Sequence, residues 1–271
     1  MHDGKISVNN GSHHDDGSLF FSFVDLLRRK KMQKQEKRLI KVEEFLEDLS
    51  KRYGKIIFHI PHSSTELPDD FFEELESPFV KEGKGTTELY VTNLKMSDVL
   101  LLDFVKGLPY EKVVAPYSRL YCDVERYWDD NKERMSKYGM GAVYTKDYLG
   151  RTLRRESKEY KTKVKEYYDR HHSSLFEAIK RVEEDVLLID LHSFGPDIAS
   201  VISKGPYPDI CIGYNYGDEN GELISEIERF CNAHGLTHQR NFPYSGSMTV
   251  PNIKGKTVRS IMIEINKRVY L

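Results

Sequence analysis

Asp190 and His192 close an apolar run that begins at Val186. Residues two apart in an extended strand point to the same side, so both side chains share one face. The run Val186–Phe194 reads as a strand buried on both faces. In open α/β sheets, ligands sit beyond the carboxyl ends of the strands, which is where these two side chains emerge. The bland alternative is a capping Asp and a core His. His62 repeats the pattern: Lys55–Ile60 reads as a strand, Pro61 ends it, and His62 follows on the loop. Glu264 sits inside the apolar segment Val258–Ile265, and a buried carboxylate is costly unless it is paired or used. Its alternative is a structural ion pair. Arg119 and Arg126 follow a third strand at Val113–Ala115. Catalytic zinc commonly takes three protein ligands, such as two His and one carboxylate, and leaves a position for water. Two His at separate strand ends, with several carboxylates nearby in type, fit that donor set. No compact motif joins them, and the sequence has no P-loop, GxGxxG after a strand, HExxH or GxSxG.

The elements that must position these residues alternate between strand and helix. Leu39, Val42, Phe45, Leu46 and Leu49 recur at helical spacing, which predicts an amphipathic helix over 34–52, with Gly54 as its stop. Thr87 to about Lys106 reads as one helix carrying Asp98. Leu120–Val124 reads as a second extended piece. Trp128 to Gly150 has loop chemistry and a length that favours an active-site cover. Arg151–Glu184 reads as one long helix or two, the second starting near His172. Its adjacent His171 and His172 point about 100° apart and do not easily share a metal. Asp209–Gly213 is a short strand and Gly221–His234 a helix ended by Gly235. The pattern predicts a three-layer α/β/α fold on a mixed, mostly parallel sheet.

Composition limits the rest. The 271 residues suffice for one large α/β domain or two small ones. A net charge of −2 gives no global electrostatic case for nucleic acid, and no apolar run reaches the roughly 20 residues of a membrane span. Cys122, Cys211 and Cys231 form no CxxC pair, which suits reduced thiols in a cytoplasm. Residues 1–33 read as a loosely ordered extension, 34–54 as the helix and 55–271 as a single α/β domain. Leu19–Leu27 is apolar but its basic run follows it instead of preceding it, contrary to a signal peptide. That basic run, Arg28 to Lys41, reads as a solvated helix face, with partner docking as the alternative. His13-His14 is suited only to adventitious metal.

Several segments together resemble one family. His59-Ile-Pro-His62-Ser-Ser, Ser118-Arg119 with Asp123-Val-Glu-Arg126, Asp190-Leu-His192-Ser-Phe, Asn241-Phe-Pro-Tyr-Ser-Gly246 and Ile263-Glu-Ile-Asn-Lys-Arg268 resemble the N-formylglutamate amidohydrolases, in that family's order. Gly139-Met-Gly-Ala-Val-Tyr-Thr145 resembles one branch of it. The likeness runs from about Lys55 to the C-terminus. It implies a fold related to the zinc carboxypeptidases and hydrolysis of the amide of an N-formyl or N-acyl amino acid, a small-molecule substrate. It implies zinc held by His62, His192 and Asp98, with Asp190 as an alternative that orients the site. It implies Glu264 as general base, Arg119 polarising the carbonyl and Arg126 on the substrate carboxylate, with Ser193, Tyr244 and Asn266 lining the substrate. Many members have Asn-Arg where this chain has Glu125-Arg126, and the added charge disfavours a dicarboxylate substrate. A peptide-cleaving relative and a non-catalytic binding relative are the competing readings.

Overall fold

The computed structural model describes residues 42–217, 220–251 and 253–271. The expectations for the N-terminal extension, the apolar stretch 19–27 and the basic run lie outside the described residues, as does the predicted helix before residue 42. Residues 42–53 form helix α1, stopped at Gly54 as predicted. Gly54 has φ +103°, and a side chain there would strike the Asp185 backbone.

The compact unit Phe45–Tyr270 is built on a six-stranded sheet. Its strands are β1 (Lys55–Ile60), β4 (Glu111–Val114), β5 (Val186–Phe194), β6 (Ile210–Gly213), β7 (His238–Arg240) and β8 (Val258–Asn266). A small hairpin, β2 (Val80–Lys81) and β3 (Lys84–Gly85), stands apart. The order is β4-β1-β5-β8-β6-β7, and all pairs are parallel except β6 with β8. This is the mixed, mostly parallel α/β sheet that the strand–helix alternation predicts. Every residue of β5 is buried, the mark of a strand covered on both faces. Ile57, Val186 and Leu188 pack against Leu175, Ala178 and Ile179 of helix α4 (Lys158–Arg181). The alternate residues Ile56, Phe58, Leu187 and Ile189 are also buried and point to the other side. On α5 (Gly221–Ala233), Phe230 stacks on Phe45 of α1, and Glu226 accepts hydrogen bonds from Arg52 and Tyr53.

Two expectations need correction. The helix predicted from Thr87 to Lys106 is two: α2 (Thr87–Met96) and α3 (Leu101–Val105). Asp98 lies in the break, because its N–H bonds the His62 carbonyl at 2.7 Å and Lys267 caps the end of α2 through the carbonyls of Lys95 and Ser97. These tertiary bonds override helical periodicity. Leu120–Val124 forms turns, not a strand: Ser118 gathers the N–H groups of Leu120 and Tyr121. Of the two readings for 151–184 the structure has the single helix: α4 runs unbroken through His171 and His172, starting at Lys158. The stretch from Trp128 to Gly150 is irregular as expected, apart from a 3-10 turn at Arg134–Tyr138 and isolated bridges.

Candidate metal centre

Strands β1, β5 and β8 are neighbours and parallel, so their carboxyl ends meet at one edge. Register then sets the side chains. His192 lies opposite Glu264, and His59 lies opposite Asp190 one pleat earlier. His62 follows β1 on its loop, and its ring centroid is 5.1 Å from that of His192. Both rings are buried.

Each ring has one nitrogen held by a buried aspartate. His62 Nε2 is 2.8 Å from Asp123 Oδ1, and His192 Nε2 is 3.1 Å from Asp190 Oδ1. The Nδ1 atoms face Asp98 Oδ2, at 3.9 Å from His62 and 3.4 Å from His192. That oxygen is buried and has no hydrogen-bond partner. Asp98 Oδ1 is supported from behind: it accepts from Ser193 Oγ at 3.1 Å, which in turn accepts from Tyr270 at 2.8 Å. Glu125 approaches from the Nε2 side, at 3.0 Å from His192 and 3.7 Å from His62. His62, Glu125 and His192 could hold a metal ion, since each offers a ligand atom within 4.8 Å of the others.

The charges are unbalanced. Asp98, Asp123, Glu125, Asp190 and Glu264 crowd around the two rings, against Arg119, Arg126 and Lys267. Burial opposes charge on His192, but Glu125, Asp190 and Asp98 outweigh it and raise the imidazole well above its usual range. His62 goes the other way, lowered by burial and by Arg119. Burial pushes Glu264 up to about 8, with Asp98 and Glu125 adding to it; its Oε2 is also without a partner. Two Nδ1 atoms facing one buried carboxylate oxygen, in a pocket of excess negative charge, suit a divalent cation.

Asp123 is the hub of the other side. Arg119 donates to its Oδ2 from Nη2 at 2.6 Å and from Nε at 3.0 Å, and Tyr144 donates at 2.8 Å. Arg126 Nε stands 3.5 Å away and makes no hydrogen bond. The arginines outweigh burial and hold Asp123 well below the usual carboxylate range. Tyr244 packs its ring on Phe194, and burial with Glu264 nearby raises its phenol. Its loop can approach β6 because Gly213 carries no side chain: a Cβ there would meet the Gly246 carbonyl at 2.6 Å.

The structure therefore gathers His62, His192, Asp98, Glu264, Arg119, Arg126 and Ser193 around one centre. Asn266 is engaged elsewhere: its amide donates to the Pro208 carbonyl at 3.1 Å and accepts from the Arg268 N–H at 3.2 Å. Reasoning from sequence gave no role to Asp123, Tyr144, His59 or His171. Asp123 and His59 did lie inside quoted motifs; Tyr144 lay in another, while His171 carried no signal beyond a buried helix face.

A family model described as N-formylglutamate amidohydrolase matches residues 54–271. No curated protein and no solved structure matches the chain. Among the described residues, no helix is long and apolar enough to cross a membrane.

Proposed function

Since this chain belongs to the N-formylglutamate amidohydrolase family, whose membership implies a hydrolase of amide bonds, we propose that it is a zinc-dependent amidohydrolase of N-formyl or N-acyl amino acids. The observation that carries the reading is the unpartnered Asp98 Oδ2 facing the Nδ1 atoms of His62 and His192. Zinc bonds of 2.0–2.1 Å in a tetrahedron separate ligand atoms by roughly 3.3 Å. Asp98 and Glu125 both lie near that spacing, so distance does not choose between them. The hydrogen bonds favour Asp98. A metal-binding His donates its other N–H to a carboxylate or carbonyl. Asp123 and Asp190 already take the Nε2 side, which leaves Nδ1 and Asp98 as the ligand set and Glu125 outside it.

Zinc held there supplies a Lewis acid for the amide carbonyl and acidifies a water molecule. Glu264, beside His192, takes the proton of the attacking water and passes it to the leaving nitrogen as the carbon–nitrogen bond breaks. Its unpartnered Oε2 is the atom that carries the proton. Arg126, less engaged by Asp123 than Arg119 is, holds the substrate carboxylate with its planar fork. Arg119, anchored by Asp123, presents positive charge to the carbonyl oxygen. The carboxylate of Glu125 next to Arg126 favours a substrate with a single carboxylate. The products are a free amino acid and a small carboxylic acid.

Elemental analysis of the full chain tests the metal. About one zinc ion per chain is expected, kept in Glu125→Gln and lost in Asp98→Ala and His192→Ala. Loss in Glu125→Gln with retention in Asp98→Ala would move the metal to the Nε2 side. A panel of N-formylglutamate, N-formyl and N-acetyl amino acids with one carboxylate, and short peptides then reads the substrate. Cleavage of peptides alone would overturn the acyl-amino-acid reading.

A further inference from the structure

His59 and His171 lie behind the metal centre and take no part in the steps above. His59 is fully buried on β1; His171 is 5% exposed on α4. Their Nε2 atoms are 2.8 Å apart, and His59 Nδ1 is 2.7 Å from Asp190 Oδ1. The pair is no second ligand cluster: among the described residues, the grouped ligand atoms are those of His62, Glu125 and His192.

The donors follow from the partners. An ionised carboxylate only accepts, and a neutral imidazole carries one N–H. His59 therefore donates from Nδ1 to Asp190; in the neutral ring its Nε2 accepts, and His171 donates to it from Nε2. The same Asp190 oxygen takes the Nε2–H of His192, while Oδ2 takes the Met248 N–H at 2.8 Å. Three donors from three segments pin the carboxylate. With the Nε2 proton held by Asp190, Nδ1 is the nitrogen of His192 that gives up its proton to a metal ion, and Nδ1 is the nitrogen that faces Asp98.

We propose that His59 and His171 are positioning residues: through Asp190 they fix the ring and tautomer of His192 so that Nδ1 is the ligand nitrogen. The inference rests on the metal reading given above. A merely structural network would lower stability when cut but would leave zinc affinity and imidazole protonation alone.

Two measurements on the full chain decide it. The first is zinc affinity by chelator competition, with thermal unfolding of each variant alongside. His59→Leu is expected to weaken zinc by about 10–100-fold, the usual effect of losing an outer partner of a metal ligand. His59→Asn, whose amide restores a donor near the Nδ1 position, is expected to bind close to wild type. Wild-type affinity in folded His59→Leu, or equal losses in both variants, would overturn the proposal. The second is the 15N spectrum of the histidine rings in metal-free protein, which needs no zinc. His59 is expected in the Nδ1–H form, and in His171→Phe as a mixture. A wild-type His59 in the Nε2–H form overturns the chain, and an unchanged His171→Phe spectrum removes His171 from it. If wild type takes up no zinc, the metal reading fails by itself, while the spectrum still decides the hydrogen-bond chain.

Discussion

Two buried aspartates, Asp123 and Asp190, do the same thing to His62 and His192 and are satisfied in opposite ways. Each is fully buried and accepts from an Nε2 atom. Asp123 is matched by guanidiniums, Arg119 and Arg126, and by the Tyr144 hydroxyl. Asp190 is matched by the Met248 N–H and by His59, with His171 behind it; burial, with His59 and His172 alongside, pushes His171 down to about 3 and keeps it neutral. The difference follows from place. Asp123 sits in a turn whose arginines, Arg119 and Arg126, keep part of their surface exposed, so under the proposed function its counter-charges also meet an anionic substrate. Asp190 sits inside a strand that is buried along its whole length, where imidazoles and a backbone N–H serve it better than a permanent charge.

The largest effect separates the two directly. Asp123→Ala strands two guanidiniums that cannot lose their charge, and should cost about 3–5 kcal/mol of stability by urea unfolding. Asp190→Ala leaves imidazoles, which unlike guanidiniums can shed a proton, and a backbone N–H, and should cost about 1–3 kcal/mol. A reversed order would break the comparison. Next is Glu264, on the Asp190 side. Glu264→Gln should keep zinc and lower kcat by about 10²–10⁴-fold. In metal-free protein the same change has a pH signature. A carboxyl raised to about 8 keeps its proton longer in the native state than in the unfolded chain, so wild-type stability falls as pH rises from about 4.5 to 8. Glu264→Gln should match wild type at pH 5 and exceed it at pH 8; parallel curves would remove the shift. Smaller still is Arg126→Lys, on the Asp123 side. It should keep zinc and lower kcat/KM by about 10-fold, mostly through KM, because an ammonium cannot match both bonds to a carboxylate. An unchanged kcat/KM would leave Arg126 with the fold alone.

Much of this was legible because it is local. The apolar run before Asp190, the proline before His62 and the apolar frame of Glu264 each placed a chemical residue at or near a strand end from its own segment. The helix carrying Asp98 was misread at the same level. Its apolar residues keep helical spacing past Met96, while the break is made by His62 and Lys267, distant in sequence. Asp123 looked like one polar residue in a predicted extended piece, and its status as a hub depends on residues from His62 to Tyr144. His171 looked like any polar residue in a long helix; its partner His59 is 112 residues away.

The sequence by itself determined which residues alternate to which face of each strand, where the strands stop, and hence that two imidazoles and a buried carboxylate emerge at carboxyl ends. Those features follow from backbone geometry within a few residues. Only the tertiary structure decided that β1, β5 and β8 are neighbours, that Asp98 leaves its helix to face both Nδ1 atoms, and which ring nitrogens are already taken. Strand order and buried hydrogen bonds join segments far apart in the chain, so they are fixed by packing and by the cost of an unpartnered buried polar group, which no single segment expresses alone.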